Sequence, residues 1–546
     1  MEQLQPKLFS TLKNYNGKQF TKDLVAGIIV AIVALPLSIA LAIASGVGPE
    51  QGLYTAIIAG FFISFLGGSR VQIGGPTAAF VVIIYGIVAD YGMSGLTVAT
   101  LLAGIMLIIM GLCRLGSLIK FIPKTITIGF TFGIAVSIFA GQLKDFFGLQ
   151  MGAVPSEFVE KIAAYSENIH TLHLPTLAIG AIALLIQIFW PKVTDKIPGS
   201  LIAILVTTAA VKLGHLPVAT IGDLYVITPG FPSFTAPEFS FELIREMISP
   251  AFTIAILAAI ESLLSCVVSD GMIGDRHRSN AELIGQGVGN IMSALFGGIP
   301  ATGAIARTAA NVKNGGRTPI AGMVHAVTLL LILIFLMPYA SMIPMTCLAA
   351  ILIMVAYNMS GWKGFFHMMK TAPHSDAFVL VLTFVLTVFF DLVIAIEIGM
   401  VLAAFLFMKR MSDVAEVKSW VYLEELSEEE MLNQVDLKQV PRHTMVYEIS
   451  GPLFFGSTDS FLNVTNQKGK RVLILRMRSV PAMDISGLHA LEDVLAVCQK
   501  RGITLLLSHV NEQPMKVMEK AGFIEKLGRE NFCSHIDEAL EKAGKM

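Results

Sequence analysis

The chain has 546 residues, of which 54% are hydrophobic and 14% charged, with a formal net charge of −1. A soluble domain carries about 25% charged residues, so a wholly soluble chain is excluded, and the near-neutral balance leaves no nucleic-acid footprint. Charges are sparse up to about Arg410 and dense after it, which implies a membrane part followed by a soluble part.

The opening stretch MEQLQPKLFSTLKNYNGK has no apolar h-region and no cleavage site, so no signal peptide is expected. Residues 1–20 read as a cytoplasmic N-terminal segment. The five cysteines (Cys113, Cys266, Cys347, Cys498, Cys533) are scattered without a CxxC pair and suggest neither a disulfide frame nor a metal site.

A helix needs roughly 20 apolar residues to cross a bilayer. Fourteen candidate spans follow in order, near 23–44, 52–66, 77–89, 96–113, 123–143, 173–190, 198–213, 248–268, 281–296, 302–312, 319–337, 343–358, 376–390 and 392–408. Those at 77–89 and 302–312 are short for a crossing. With the N-terminus inside, the inner loops carry Arg70; Arg114, Lys120 and Lys124; Lys192 and Lys196; Arg276 and Arg278; Lys313 and Arg317; Lys363 and Lys370; Lys409 and Arg410. The opposite loops at 89–95, 297–301 and 338–342 have no Lys or Arg, and 215–247 has only Arg245. The loop at 144–172 is mixed, with Lys144 and Lys161. The positive-inside rule thus predicts a multi-pass protein of the inner (plasma) membrane with both ends cytoplasmic.

Two halves of the chain echo each other. Gly67-Gly68 and Gly75-Pro76-Thr77-Ala78-Ala79 resemble Gly297-Gly298 and Pro300-Ala301-Thr302-Gly303-Ala304, an offset of 224 between the prolines. Ile122-Pro123-Lys124-Thr125 resembles Ile343-Pro344-Met345-Thr346, an offset of 221. Seven spans per half is an odd number, so the second half enters from the other side. The expected fold is an all-α polytopic membrane domain at 21–411, built as a 7+7 inverted repeat with halves at about 21–215 and 245–411. Inverted repeats with short, Gly/Pro-interrupted spans at matching positions mark secondary transporters.

The third and tenth spans each begin after a Gly/Pro stretch. If they start inside the bilayer, their free backbone N–H groups, each helix start worth roughly half a positive charge, face the midplane and make an anion site. Small residues stand at these ends: Thr77, Ala78 and Ala79 on one side, Ala301, Thr302 and Gly303 on the other. Arg307 lies about one turn into the tenth span. An intramembrane charge is costly, so it reads first as a functional cation for the anion and second as half of an ion pair or a snorkelling group. Glu261 stands mid-span in AILAAIESLLSCVVSD and reads as a proton site, a cation site or a counter-ion, with Ser265 one turn on. The proton role is the leading one, a permanent Glu261–Arg307 bridge is the alternative, and a breakable bridge could combine the two by coupling ion to substrate. His325 reads as a packed, hydrogen-bonded residue, and Gly285-Gln286-Gly287-Val288-Gly289 as helix packing, since no soluble strand precedes it.

After a charged linker at 412–440, residues 441–546 turn to a soluble α/β pattern. Strand candidates are 444–449, 453–455, 472–477 and 503–508; helical patterns fall at 458–463, 486–500, 513–521 and 532–542. No nucleophile–base pair or phosphate loop appears, so a regulatory module is expected rather than an enzyme. Asp484-Ile485-Ser486-Gly487 opens a helix, with a capping role for Asp or Ser and a regulatory phosphorylation or partner-contact role for Ser486 both open.

The segment LPLSIALAIASGVGPEQGLYTAIIAGFFISFLGGSRVQIGGPTAAF resembles the signature region of the sulfate permease (SulP) anion transporters. GIPATGAIARTAANV resembles that family's tenth span, and PAMDISGLHALEDV is similar to the STAS domain these proteins carry at the C-terminus. The resemblance implies the uracil-transporter-like fold with core and gate domains, a homodimer, and an elevator-like movement. It places Thr77, Ala78, Ala301, Thr302 and Arg307 at the anion and Glu261 with Ser265 at the coupling position. AILAAIESLLSCVVSDGM, AYNMS and FFDLVIAIEIGMVLAAFLFMKR are most similar to the DauA-like bacterial branch, which takes up C4-dicarboxylates. The bicarbonate branch carries an Asp and a Thr for sodium where this chain has Glu261 and Ser265. Leu37 stands where many members have a glutamine after the first-span proline.

The expected activity is proton symport of sulfate or a C4-dicarboxylate such as succinate or fumarate, with no cofactor and H+ as the coupling ion. The alternatives are a sodium-coupled bicarbonate carrier, and a channel or sensor whose output is the STAS domain. Partners expected are the lipid bilayer, a second copy and a cytoplasmic protein on the STAS domain.

Overall fold

The computed structural model describes all residues except 1–3, 118–122, 153, 156, 195–197, 226–229, 235–239, 391, 415, 420–439, 442 and 455–470. Residues 415 and 420–439 of the charged linker, the helical pattern at 458–463 and residue 455 of the strand candidate at 453–455 lie outside the described residues. The chain divides into two compact units, Met1–Met400 and Val401–Met546.

In the first unit the helices are α1 Lys7–Thr11, α2 Gly17–Ala44, α3 Pro49–Leu66, α4 Val81–Leu112, α5 Lys124–Gly141, α6 Leu143–Phe147, α7 Phe158–Asn168, α8 Leu174–Phe189, α9 Gly199–Leu213 and α10 Ile221–Leu224. The second half continues with α11 Phe241–Ile273, α12 Ser279–Leu295, α13 Ile305–Lys313, α14 Ile320–Phe335, α15 Met337–Ala340, α16 Met345–Ser360, α17 Trp362–Thr371 and α18 His374–Phe389, and α19 Leu392–Val414 crosses the boundary between the units. Each of the fourteen expected spans overlaps one of these helices. Among the described residues, six helices are long and apolar enough to cross a membrane alone. The third and fourth expected spans are the two arms of α4, separated by a kink at Gly92, whose φ of 64° and ψ of −165° are non-helical; the left-handed φ suits a residue without a Cβ. The tenth is the nine-residue α13.

Two packing groups emerge. In one, α12 lies on α3 and α4, α14 on α2 and α3, and α11 on α4 and α13. In the other, α16 lies on α5 and α8, and α18 on α5. The glycine run in α12 is packing, as its pattern suggests. A Cβ at Gly287 would sit 2.6 Å from the Gly104 carbonyl oxygen of α4, and one at Gly104 would sit 2.7 Å from that of Gly287. Only glycine lets the two backbones approach so closely.

The repeat appears in the backbone. Pro123 opens α5 at φ −63°, ψ 141°, and its sequence counterpart Pro344 opens α16 at φ −66°, ψ 135°. A two-stranded antiparallel ribbon joins the halves: β1 (Gly74–Gly75) pairs with β2 (Thr302–Gly303), Gly74 opposite Gly303 and Gly75 opposite Thr302.

The second unit holds a sheet in the order β3 (Glu416–Ser419), β4 (Thr444–Ser450), β5 (Val472–Ser479), β6 (Thr504–Ser508) and β7 (Phe532–Cys533). The first pair is antiparallel and the rest parallel. Helices α20 (Ile485–Arg501), α21 (Glu512–Lys520), α22 (Phe523–Leu527) and α23 (Ile536–Gly544) complete it. Apolar clusters form on both sheet faces, Leu473, Leu475 and Leu491 in one and Ile474, Ile536 and Ala539 in the other, as a parallel sheet buried on both faces requires.

Candidate functional site

The ribbon sets the site. Each of its strands runs directly into a helix start. Thr77 caps a turn at Ala78–Phe80 that continues as α4, and Ala304 caps α13. Neither start has a side-chain cap, so the positive ends of two helices stay open to a ligand. Around the ribbon, Ala304 N–H donates to the Ile73 carbonyl at 2.9 Å, closing it.

The expected site residues converge here. Ala78, Ala79, Ala301, Thr302 and Gly303 are buried, and Thr77 is partly exposed. Thr302 hydroxyl donates to the Ala258 carbonyl of α11 at 3.0 Å, so it anchors the ribbon and does not point a free donor at a ligand. The Thr77 hydroxyl donates to Glu261 Oε2 at 2.9 Å. Arg307 is 2% exposed, and its Nη2 donates to the Pro76 carbonyl. Its Nε and Nη1 have no hydrogen-bond partner among the described residues. A buried guanidinium with two open donors is expensive unless something else accepts them.

Ser265, buried one turn beyond Glu261, donates to Gln72 Oε1 at 2.8 Å. Gln72 Nε2 donates to the Ser262 carbonyl at 3.0 Å, and Thr308 Oγ1 accepts from Ile73 N–H at 3.1 Å. The sequence reading missed Gln72 and Thr308. The only local signal for Gln72 was a polar residue inside an apolar, glycine-rich stretch. It also missed the supports of the two ribbon approaches. Glu282 of α12 accepts from the N–H groups of Gly68 at 2.8 Å and Ser69 at 3.1 Å. Thr55 of α3 accepts from Ile299 N–H at 2.7 Å. Asn290 brackets Ala301, accepting from its N–H at 2.8 Å and donating to its carbonyl at 2.9 Å. The segment before each half-helix is thus held in part by a helix of the opposite repeat.

His325 is fully buried, as its place in an apolar span suggests, but neither ring nitrogen has a hydrogen-bond partner among the described residues. A cavity of about 640 Å³ adjoins the start of α4, with Val81 and Tyr85 on one wall and Gln142, Met345 and Thr387 on the other. It therefore lies between the two packing groups and offers room for a small solute beside the third half-helix. Among the described residues no cluster of His, Cys, Asp or Glu is fit to hold a metal, and the five cysteines are free.

In the second unit, Asp484 is the cap of α20, its Oδ1 accepting from Gly487 N–H at 2.8 Å. Ser486 lies partly exposed in the first turn beside exposed Ile485.

Residues 20–383 match the sulfate permease family, and residues 434–539 match the STAS domain. The chain is 42% identical to a putative sulfate transporter, YvdB, of Bacillus subtilis (strain 168), over 96% of this chain and 98% of that one. It is 29% identical to the bicarbonate transporter BicA of Picosynechococcus sp., over 95% and 94% of the two chains. In structure it is similar to the murine anion transporter Slc26a9 in its inward-facing state, with a TM-score of 0.90 at 18% identity over 100% of this chain and 94% of that one. The transmembrane domain of a cyanobacterial BicA matches with a TM-score of 0.64 at 30% identity, over 70% of this chain and 98% of that one.

Proposed function

The chain belongs to the sulfate permease family, and we propose that it is a proton-coupled carrier of a small divalent anion, sulfate first and C4-dicarboxylates such as succinate or fumarate second. The observation that carries this reading is Arg307: a buried cation with two open donors, one turn inside a helix start that no side chain caps. An oxyanion accepting from those donors and from the backbone N–H groups at both helix starts satisfies groups that the protein leaves open.

Coupling follows from Glu261. Its carboxylate binds the Thr77 hydroxyl at the mouth of the same site. Two negative charges close together in a poorly screened interior repel strongly. The anion therefore binds best when Glu261 carries a proton, and leaves with it. Movement of the group holding α3, α4, α11, α12, α13 and α14 against the group holding α5, α8, α16 and α18 alternates access, in the manner of an elevator. The homodimer, the inner-membrane location with cytoplasmic termini, and a partner of the STAS domain at Ser486 belong to the same reading.

The test is uptake by the purified full chain in proteoliposomes, with sulfate, bicarbonate, succinate and fumarate offered separately under an inward proton gradient. Saturable, gradient-driven sulfate uptake is the expected result; accumulation that ignores the proton gradient would overturn it. The likeness to bicarbonate transporters favours a second reading, sodium-coupled bicarbonate uptake. Imposed sodium and proton gradients of equal size separate the two.

A further inference from the structure

The segment before the first span is built onto the transport unit. Lys7 N–H donates to the Gly67 carbonyl at 2.9 Å. The Lys7 ammonium donates to the Arg276 carbonyl at 2.7 Å and pairs with Asp275 at 3.1 Å. Arg278 reaches back to the Gln5 carbonyl at 2.9 Å. Leu8 is buried, while its neighbours Phe9 and Leu12 are 46% and 45% exposed. Phe9 heads an aromatic column: its ring is 6.2 Å from Phe65, which stacks on Phe61 at 6.1 Å. Phe61 and Phe65 belong to α3, which holds the expected second span at 52–66, so Phe9 packs at the end of that expected span. Phe20, one turn before the apolar run of α2, is also 46% exposed. Lys13, Lys18 and Lys22, in the same segment, are exposed and make no ion pair among the described residues. The stem of Lys22 lies over Gly315, two residues beyond the end of α13.

We propose that residues 7–22 form a strap that binds the headgroups of anionic phospholipids in the adjacent leaflet. Lys13, Lys18 and Lys22 supply the cations, and Phe9, Leu12 and Phe20 enter the acyl boundary. Cations flanked by exposed rings at a membrane boundary are the pattern of an interfacial anchor, and lysines near a leaflet select its anionic lipids. A protein partner is less well matched, because Phe9 lines up with Phe65 and Phe61 of the expected second span.

The test is native mass spectrometry of the purified full chain equilibrated with equal phosphatidylglycerol and phosphatidylcholine in mild detergent at moderate salt. The chain is expected to retain phosphatidylglycerol over phosphatidylcholine by on the order of tenfold. The variant K13Q/K18Q/K22Q should lose that preference, and K13R/K18R/K22R should keep it. Soluble glycerol phosphate at the same concentration should not displace the lipid, because it lacks the acyl part. No preference in the parent chain, an unchanged preference in the glutamine variant, or displacement by glycerol phosphate would each overturn the proposal. Equal melting temperatures for the two triple variants exclude misfolding as the cause of a loss.

Discussion

Glu261 and Arg307 hold consecutive residues of one loop: Thr77 by its hydroxyl, at 2.9 Å, and Pro76 by its carbonyl. No ion pair between them occurs among the described residues. Acid and base therefore act on the start of α4 together, one from α11 and one from α13, while the guanidinium keeps two donors for a ligand.

Arg307→Gln should cut anion uptake in proteoliposomes by about 10- to 100-fold, the worth of one to two charge-assisted hydrogen bonds. Thermal unfolding should change less than transport, because removal of a buried charge offsets part of the lost Pro76 contact. Uptake rate and melting temperature on the same preparation check both halves.

Glu261→Gln keeps the shape of the carboxyl and an acceptor for Thr77, but cannot take up a proton. Proton-driven accumulation should vanish, while anion exchange at equal pH on both sides persists within about tenfold of the parent rate. Accumulation of anion by this variant in response to an imposed pH gradient would show that the proton travels elsewhere.

Gly303→Ala should disrupt the site through Gln72. The new Cβ would lie 1.7 Å from Gln72 Nε2, forcing the amide off Ser262 and Ser265 at a cost of about 1–3 kcal/mol. Gln72→Ala in the same chain removes the clash, so the double variant should melt at a higher temperature than Gly303→Ala alone. The interaction energy of the double-mutant cycle is the measurement.

Asp223 offers a pH-dependent test outside the spans. Its carboxylate accepts from the N–H and hydroxyl of Thr220, each at 2.8 Å, and these bonds hold its pKa below the ordinary 3.8. With a lowered folded value, its contribution is complete above the unfolded value near 3.8 and is lost as pH falls through the folded one. Hydrogen exchange at residues 220–225 should therefore lose protection, relative to the intrinsic rate at each pH, on acidification below about pH 4 in the parent chain. In Asp223→Asn it should be fast already at neutral pH and show less added acid dependence.

The sequence carried the architecture well because membrane spans are written in composition and the repeat in glycines and prolines. Pro76 and Pro300, and Pro123 with Pro344, located both half-helices and both paired helix starts. The break between the third and fourth spans was legible, since Gly92 falls in the loop expected at 89–95; that the two arms meet at one left-handed glycine was not. Thr77 and Glu261 were each visible as candidates, but their hydrogen bond joins residues 184 positions apart, and one sequence does not encode such a pairing. Gln72, Asn290 and Thr308 escaped for a different reason. Asn290 and Thr308 hold backbone groups of irregular segments, Gln72 ties its own irregular segment to Ser262 and Ser265 of α11, and any amide or hydroxyl of the right reach would read the same in sequence. The attachment of α1 rests on Lys7, whose partners Gly67, Asp275 and Arg276 lie far along the chain.

The β1–β2 ribbon bears on energetics as well as shape. Gly74 opposite Gly303 and Gly75 opposite Thr302 tie the two helix starts to each other, so neither can withdraw from a bound ion alone. On the carrier reading proposed above, a pocket stapled in this way keeps its geometry whichever aqueous phase it faces, so the same molecule should run backwards, at comparable affinity, when the gradients are reversed.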